Sequence, residues 1–180
     1  MNDPLIAAPL WRRFAAAVYD ALLLTGLWMT TLLLTLPVRS LLGVPPGSPV
    51  LRGLLFAVGL AFFGWFWTRG GQTLGMRAWK LRVRRRDGAA LRWPIAAIRY
   101  AAMMSYWTLA LMPFAVYLLE RYPKIIATLP HAVPAATIAS TLIVLSLALR
   151  LLDGRRGLPH DWASGTEVVR LPAAAVITAP

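Results

Sequence analysis

Four runs of apolar residues dominate the sequence, from about Phe14 to Leu36, Val50 to Trp67, Ile95 to Leu119 and His131 to Leu149. A hydrocarbon core about 30 Å thick takes roughly 20 helical residues at 1.5 Å each, and each run is close to that length. A soluble domain carries about 25% charged residues, whereas this chain of 180 residues has 14% charged and 58% hydrophobic, with a mean hydropathy of +0.61. So much apolar surface needs lipid to cover it. The reading is an all-α membrane protein with four transmembrane helices, and an ordinary soluble enzyme core is excluded. Pro37 stands just past the first run and Pro113 within the third, where it predicts a kink. Arg52 has room to snorkel outward, and Trp65 and Trp67 suit a membrane interface.

The net charge of +12 would by itself suggest nucleic acid or an anionic membrane surface; the hydropathy decides for the membrane. Loops rich in Lys and Arg stay cytoplasmic. Of the 19 Lys and Arg, fourteen fall at Arg12 and Arg13, between Arg69 and Arg92, or after the fourth run. Arg39, Arg52, Arg121 and Lys124 fall on the other side, and Arg99 lies within a run. Both termini are therefore expected in the cytoplasm. The first run is longer than the about 7–15 residues of a signal-peptide core and contains Asp20, so it is expected to remain as a span. Cysteine is absent, which excludes disulfides and thiolate chemistry. His160 beside Asp161 lacks a third ligand candidate, so neither metal nor cofactor is expected.

Between the second and third runs, Trp79, Leu81 and Val83 alternate with Lys80, Arg82 and Arg84, and Asp87-Gly88 supplies a turn. That pattern predicts a short cytoplasmic β-hairpin-like loop. Its basic residues Arg77, Lys80, Arg82, Arg84, Arg85 and Arg86 would meet anionic lipid headgroups at about 1 kcal/mol each. Gly71, Thr73 and Gly75 do not form a phosphate-binding loop, because no Lys-Ser/Thr pair follows the second glycine. They read as a tight turn where the second span leaves the bilayer. Residues 153–169 are too polar to insert, and 171–180 read as a disordered tail.

Charges inside spans cost about 2.5–3.5 kcal/mol on insertion scales and by default face the bundle interior. Arg13 and Asp20, seven apart, share a helix face about 10 Å from each other. Asp20 and Arg99 lie at similar depth, roughly 6–9 Å past the starts of their runs. Depth thus predicts an Asp20–Arg99 ion pair, with Asp161 left for Arg13. Such pairs either fix helix register or serve transport.

These residues resemble the RDD family of small bacterial membrane proteins, named for an arginine and two aspartates. Trp11-Arg12-Arg13-Phe14-Ala15-Ala16-Ala17-Val18-Tyr19-Asp20 is similar to the family's first-span motif, with its arginine on Arg13 and first aspartate on Asp20. Gly71-Gln72-Thr73-Leu74-Gly75 with Leu81-Arg82-Val83 and Asp87-Gly88 resembles its loop, and Arg99 matches an arginine opening the next span. His160-Asp161-Trp162-Ala163-Ser164-Gly165-Thr166-Glu167-Val168-Val169 resembles its closing motif, which puts the second aspartate on Asp161. Pro159 departs from that motif, where leucine would adjoin His160. The resemblance spans about Leu10 to Val169 and implies one domain over 1–170 in the bacterial inner membrane.

The family includes accessory proteins and members described as sodium/proton exchangers. The first expectation is therefore an accessory or scaffold protein, possessing anionic-lipid contacts and a homo-oligomer or membrane-protein partner, with no nucleic acid. The alternative is a small cation/proton exchanger acting through Asp20, as an oligomer. An intramembrane enzyme lacks paired carboxylates on one span, a metal set and a placed nucleophile; Ser105 and Ser140 read as helix-packing residues.

Overall fold

A computed structural model describes residues 7–45, 47–119, 121, 131–152 and 157–171. The elements in chain order are α1 (Leu10–Leu41), α2 (Pro49–Arg69), α3 (Leu74–Ala78), β1 (Leu81–Arg85), α4 (Trp93–Leu119), α5 (Ala132–Leu152), α6 (Pro159–Ala163) and β2 (Thr166–Arg170). Among the described residues, α1, α2 and α4 are long and apolar enough to cross a membrane, while α5 contributes a shorter apolar stretch, Val133–Ser146. The long helices turn large apolar side chains outward: Leu22, Leu33 and Val50 are about 70% exposed. Lipid is the solvent that such surfaces fit.

The chain divides into two units, Met1–Ala97 with Gly165–Pro180, and Ile98–Ser164. In the first unit, α1 buries Arg13, Ala16, Asp20 and Leu24, spaced as one helix face. It does not stop at Leu36 as expected but continues through Pro37 to Leu41. A proline leaves one carbonyl a turn earlier unpaired, and the apolar surroundings penalise leaving the other backbone groups unpaired too. Helix α2 opens with Pro49 at its first turn and Ser48 as cap, whose hydroxyl accepts from the Leu51 N–H at 3.3 Å. The Trp28 indole N–H donates to the Leu55 carbonyl at 2.8 Å and ties α1 to α2. Trp67, expected at an interface, is instead 1% exposed and packs on Phe63 with ring centroids 5.0 Å apart. Trp65 is exposed, with the Arg69 guanidinium 3.9 Å from its ring centroid.

The alternation at 79–84 is borne out, with Leu81 and Val83 buried and Lys80 and Arg82 exposed. The hairpin is not. Strand β1 pairs antiparallel with β2, in the register Leu81↔Arg170, Val83↔Val168 and Arg85↔Thr166. The turn does form: the Ala89 N–H donates to Asp87 Oδ1, and the Arg85 N–H donates to the Ala89 carbonyl at 3.0 Å. Beyond the turn, only Ala90, Leu91 and Arg92 separate it from α4, too short a stretch to return as a strand, whereas β2 offers Thr166, Val168 and Val169. The N-terminal segment joins the far edge, where Ala7 bridges to Val169 and the Ala8 N–H donates to the Val168 carbonyl. Leu171, expected to begin a tail, donates its N–H to the Lys80 carbonyl at 2.9 Å; residues 172–180 lie outside the described residues.

In the second unit, α4 carries Pro113 inside it, as expected. Helix α6 begins at Pro159, at the first helical position, where a missing N–H costs nothing. The departure from the motif is thus accommodated without distortion.

Candidate functional site

Two buried clusters, one in each unit, engage the charges singled out in the sequence. In the first, Asp20 is 4% exposed and meets the segment that leaves α2. The Thr73 hydroxyl donates to its Oδ2, and the Gly75 N–H donates to Oδ1 at 2.9 Å. Thr73 Oγ1 also accepts from the Met76 N–H and so caps α3. One hydroxyl therefore starts a helix and fastens it to α1.

Gly71 to Gly75 read as a tight turn, and each polar or small residue has a distinct task. Gly71 sits at φ +65°, and a Cβ there would stand 2.6 Å from the Val83 carbonyl oxygen. Its own carbonyl accepts from the Val83 N–H at 2.7 Å. Gln72 Nε2 donates to the Leu81 carbonyl at 2.6 Å. Gly75 is needed for room, since a Cβ would collide with the Ala16 carbonyl and come within 2.9 Å of the Asp20 carboxylate.

The second cluster joins Arg99 to Asp161, each 1% exposed, with Nη1 and Oδ1 at 2.5 Å. Asp161 Oδ2 accepts from the Leu158 N–H at 2.9 Å, and this fixes the start of α6. His160 is buried beside it, its Nε2 3.7 Å from Asp161 Oδ1. The Asp20–Arg99 pairing predicted from depth is corrected here: Asp20 is held by Thr73 and Gly75, and Arg99 binds Asp161. Equal depth fixes height along two helices but not which faces turn toward each other, and it ignores donors brought back by polar segments. Arg13 itself is buried on the α1 face that carries Asp20.

The basic loop residues divide into paired and open positions. Arg84 Nε donates to Glu167 Oε1 at 2.7 Å, and Arg85 Nη2 lies 2.6 Å from Asp87 Oδ2. Arg77, Lys80, Arg82 and Arg86 are exposed. On the same side of the first unit, Trp11 meets Trp79 edge to face at 5.4 Å, with Arg12 over the Trp11 ring at 5.0 Å. No group of three metal-ligating side chains occurs among the described residues. Sequence reasoning missed Gln72 and the Thr73–Asp20 bond; the Thr73-to-Met76 spacing was a capping signal that could have placed α3.

Apolar helices of membrane-crossing length, with buried charges that anchor polar segments to helix ends, define a helical membrane protein. The model of the RDD family matches residues 7–165, and the chain belongs to that family. No curated protein and no solved structure matches it.

Proposed function

We propose that the chain is a four-span accessory or scaffold protein of the bacterial inner membrane, with both termini and the basic loop in the cytoplasm. It performs no catalysis. The observation that carries this reading is the use to which the buried charges are put. Asp20 holds the loop after α2 against α1, and Arg99 holds Asp161 at the start of α6. Both are ties between a helix and a polar segment. Helix α5, with 21 residues against the 21 of α2, supports a fourth span. The exposed Arg77, Lys80, Arg82 and Arg86 face anionic headgroups or an acidic partner, with no role for nucleic acid.

A second reading, cation/proton exchange by an oligomer, is favoured by one feature. The partners of the buried Asp20 carboxylate, the Thr73 hydroxyl and the Gly75 N–H, are neutral. A carboxylate inside a bilayer protein without a cation beside it is a candidate ion site.

The deciding experiment measures pH change driven by sodium or potassium gradients in proteoliposomes, wild type beside Asp20→Asn, with folding checked by size-exclusion chromatography. The expected result is no flux in either and lower stability in the variant. Cation-driven proton movement that disappears in a well-folded variant would replace the scaffold by the exchanger.

A further inference from the structure

The end of the α1–α2 pair remote from the basic loop carries charges that no described residue neutralises. Arg39 lies nineteen residues beyond Asp20 on α1, about 28 Å along the axis. That is close to the thickness of a hydrocarbon core. Arg52, near the start of α2, lies seventeen residues before Arg69, a similar rise. Both arginines therefore stand at headgroup level in the leaflet opposite the loop.

They also line one groove. It has a volume of about 530 Å³ and is walled by Met29, Leu33, Leu36 and Leu55, with Arg39 and Arg52 among its lining residues. The groove is open along one side rather than enclosed, a shape that an acyl chain lying on the surface can follow. Between Asp20 and Asp87 the sequence contains no carboxylate, and neither arginine forms an ion pair among the described residues. The Arg39 Nε–H is buried and meets no acceptor among the described residues. A desolvated guanidinium donor calls for an oxygen acceptor, and guanidinium matches a phosphate by paired, charge-assisted bonds.

We propose that this groove is a binding site for one acidic phospholipid, its phosphodiester held by Arg39 and Arg52 and an acyl chain lying along the leucines. A free anion would leave the apolar wall uncovered, and a zwitterionic lipid would bring its own headgroup cation against the two guanidiniums.

The test uses the full chain, purified in detergent, stripped of lipid and titrated with phosphatidylglycerol, phosphatidylcholine or inorganic phosphate, with bound lipid counted by native mass spectrometry. One phosphatidylglycerol per chain is expected, at least tenfold tighter than phosphatidylcholine and not displaced by millimolar phosphate. Arg39→Gln with Arg52→Gln should weaken it tenfold or more, while Arg170→Gln, exposed at the end of β2, leaves it unchanged. Leu36→Trp, which fills the groove and keeps both guanidiniums, should weaken it similarly and decides the matter if the double variant does not fold. Equal binding of both lipids, displacement by phosphate alone, or an unaffected Leu36→Trp would each overturn the site.

Discussion

Gly75 shows how a single atom decides the join between α1 and the loop. Adding a methyl at Gly75 drives it into the Ala16 carbonyl and the Asp20 carboxylate. Gly75→Ala should therefore cost about 1–3 kcal/mol by overpacking. Gly26→Ala, within α1 and with open space around it, should be neutral or stabilising; thermal unfolding in detergent compares the two. Asp20 and Thr73 share a bond, so Asp20→Asn and Thr73→Val should be non-additive in a double-mutant cycle, with a coupling of about 0.5–3 kcal/mol. The coupling thus falls on Thr73 and not on Arg99. Arg99→Gln takes the guanidinium away from the Asp161 carboxylate in a site 1% exposed. Breaking such a buried pair should cost about 3–5 kcal/mol, seen as a lowered melting temperature. Asp20 and Arg99 were legible as buried charges because ionisable groups stand out in apolar runs, and Arg13 and Asp161 through the motifs that carry them. Their partners were not, since the donors to Asp20 are a hydroxyl and a backbone amide, which composition does not flag. Gly71 and Gly75 looked alike in the sequence, yet one supplies a positive φ and the other only space.

At the scale of elements, strand β1 was legible from its period of two and its partner was not. A turn signal beside a strand implies a hairpin only if the chain beyond can serve as the returning strand, and here it enters α4 within a few residues. The chain lacks cysteine, which makes the pairing directly testable. Arg84 and Glu167 face each other across the antiparallel ladder, and opposed residues there lie about 4.5–5.5 Å apart between Cα atoms, within disulfide reach. Arg84→Cys with Glu167→Cys should cross-link under mild oxidation, whereas Arg84→Cys with Ala90→Cys should not; gel mobility after proteolysis between the sites distinguishes them. The extension of α1 past Pro37 obeys the same logic. Local rules stop a helix at proline in water, but outside water the remaining backbone bonds outweigh one lost bond.

For the whole molecule, the long apolar helices were the most readable feature, because hydropathy sums over about twenty residues and tolerates local errors. The assignment of polar segments to helices was the least readable, since it depends on contacts between residues far apart in the chain. Orientation rests on the uneven distribution of Lys and Arg and is open to a simple check. Leu42→Cys, exposed at the end of α1, should react with a membrane-impermeant maleimide added to intact spheroplasts. Asp87→Cys, in the loop, should react only after permeabilisation. The reverse pattern would invert the topology.

The sheet also dictates an order of manufacture. Strand β1 leaves the ribosome before α4 and α5 are made, and β2 comes after both. Until then the buried face at Leu81 and Val83 and the open edge beside it have no cover, and such an edge attracts proteases and other chains. Ala7, made before any of the helices, finds its place beside Val169 only after all of them. A chain cut short before β2 thus carries a visible defect on its surface.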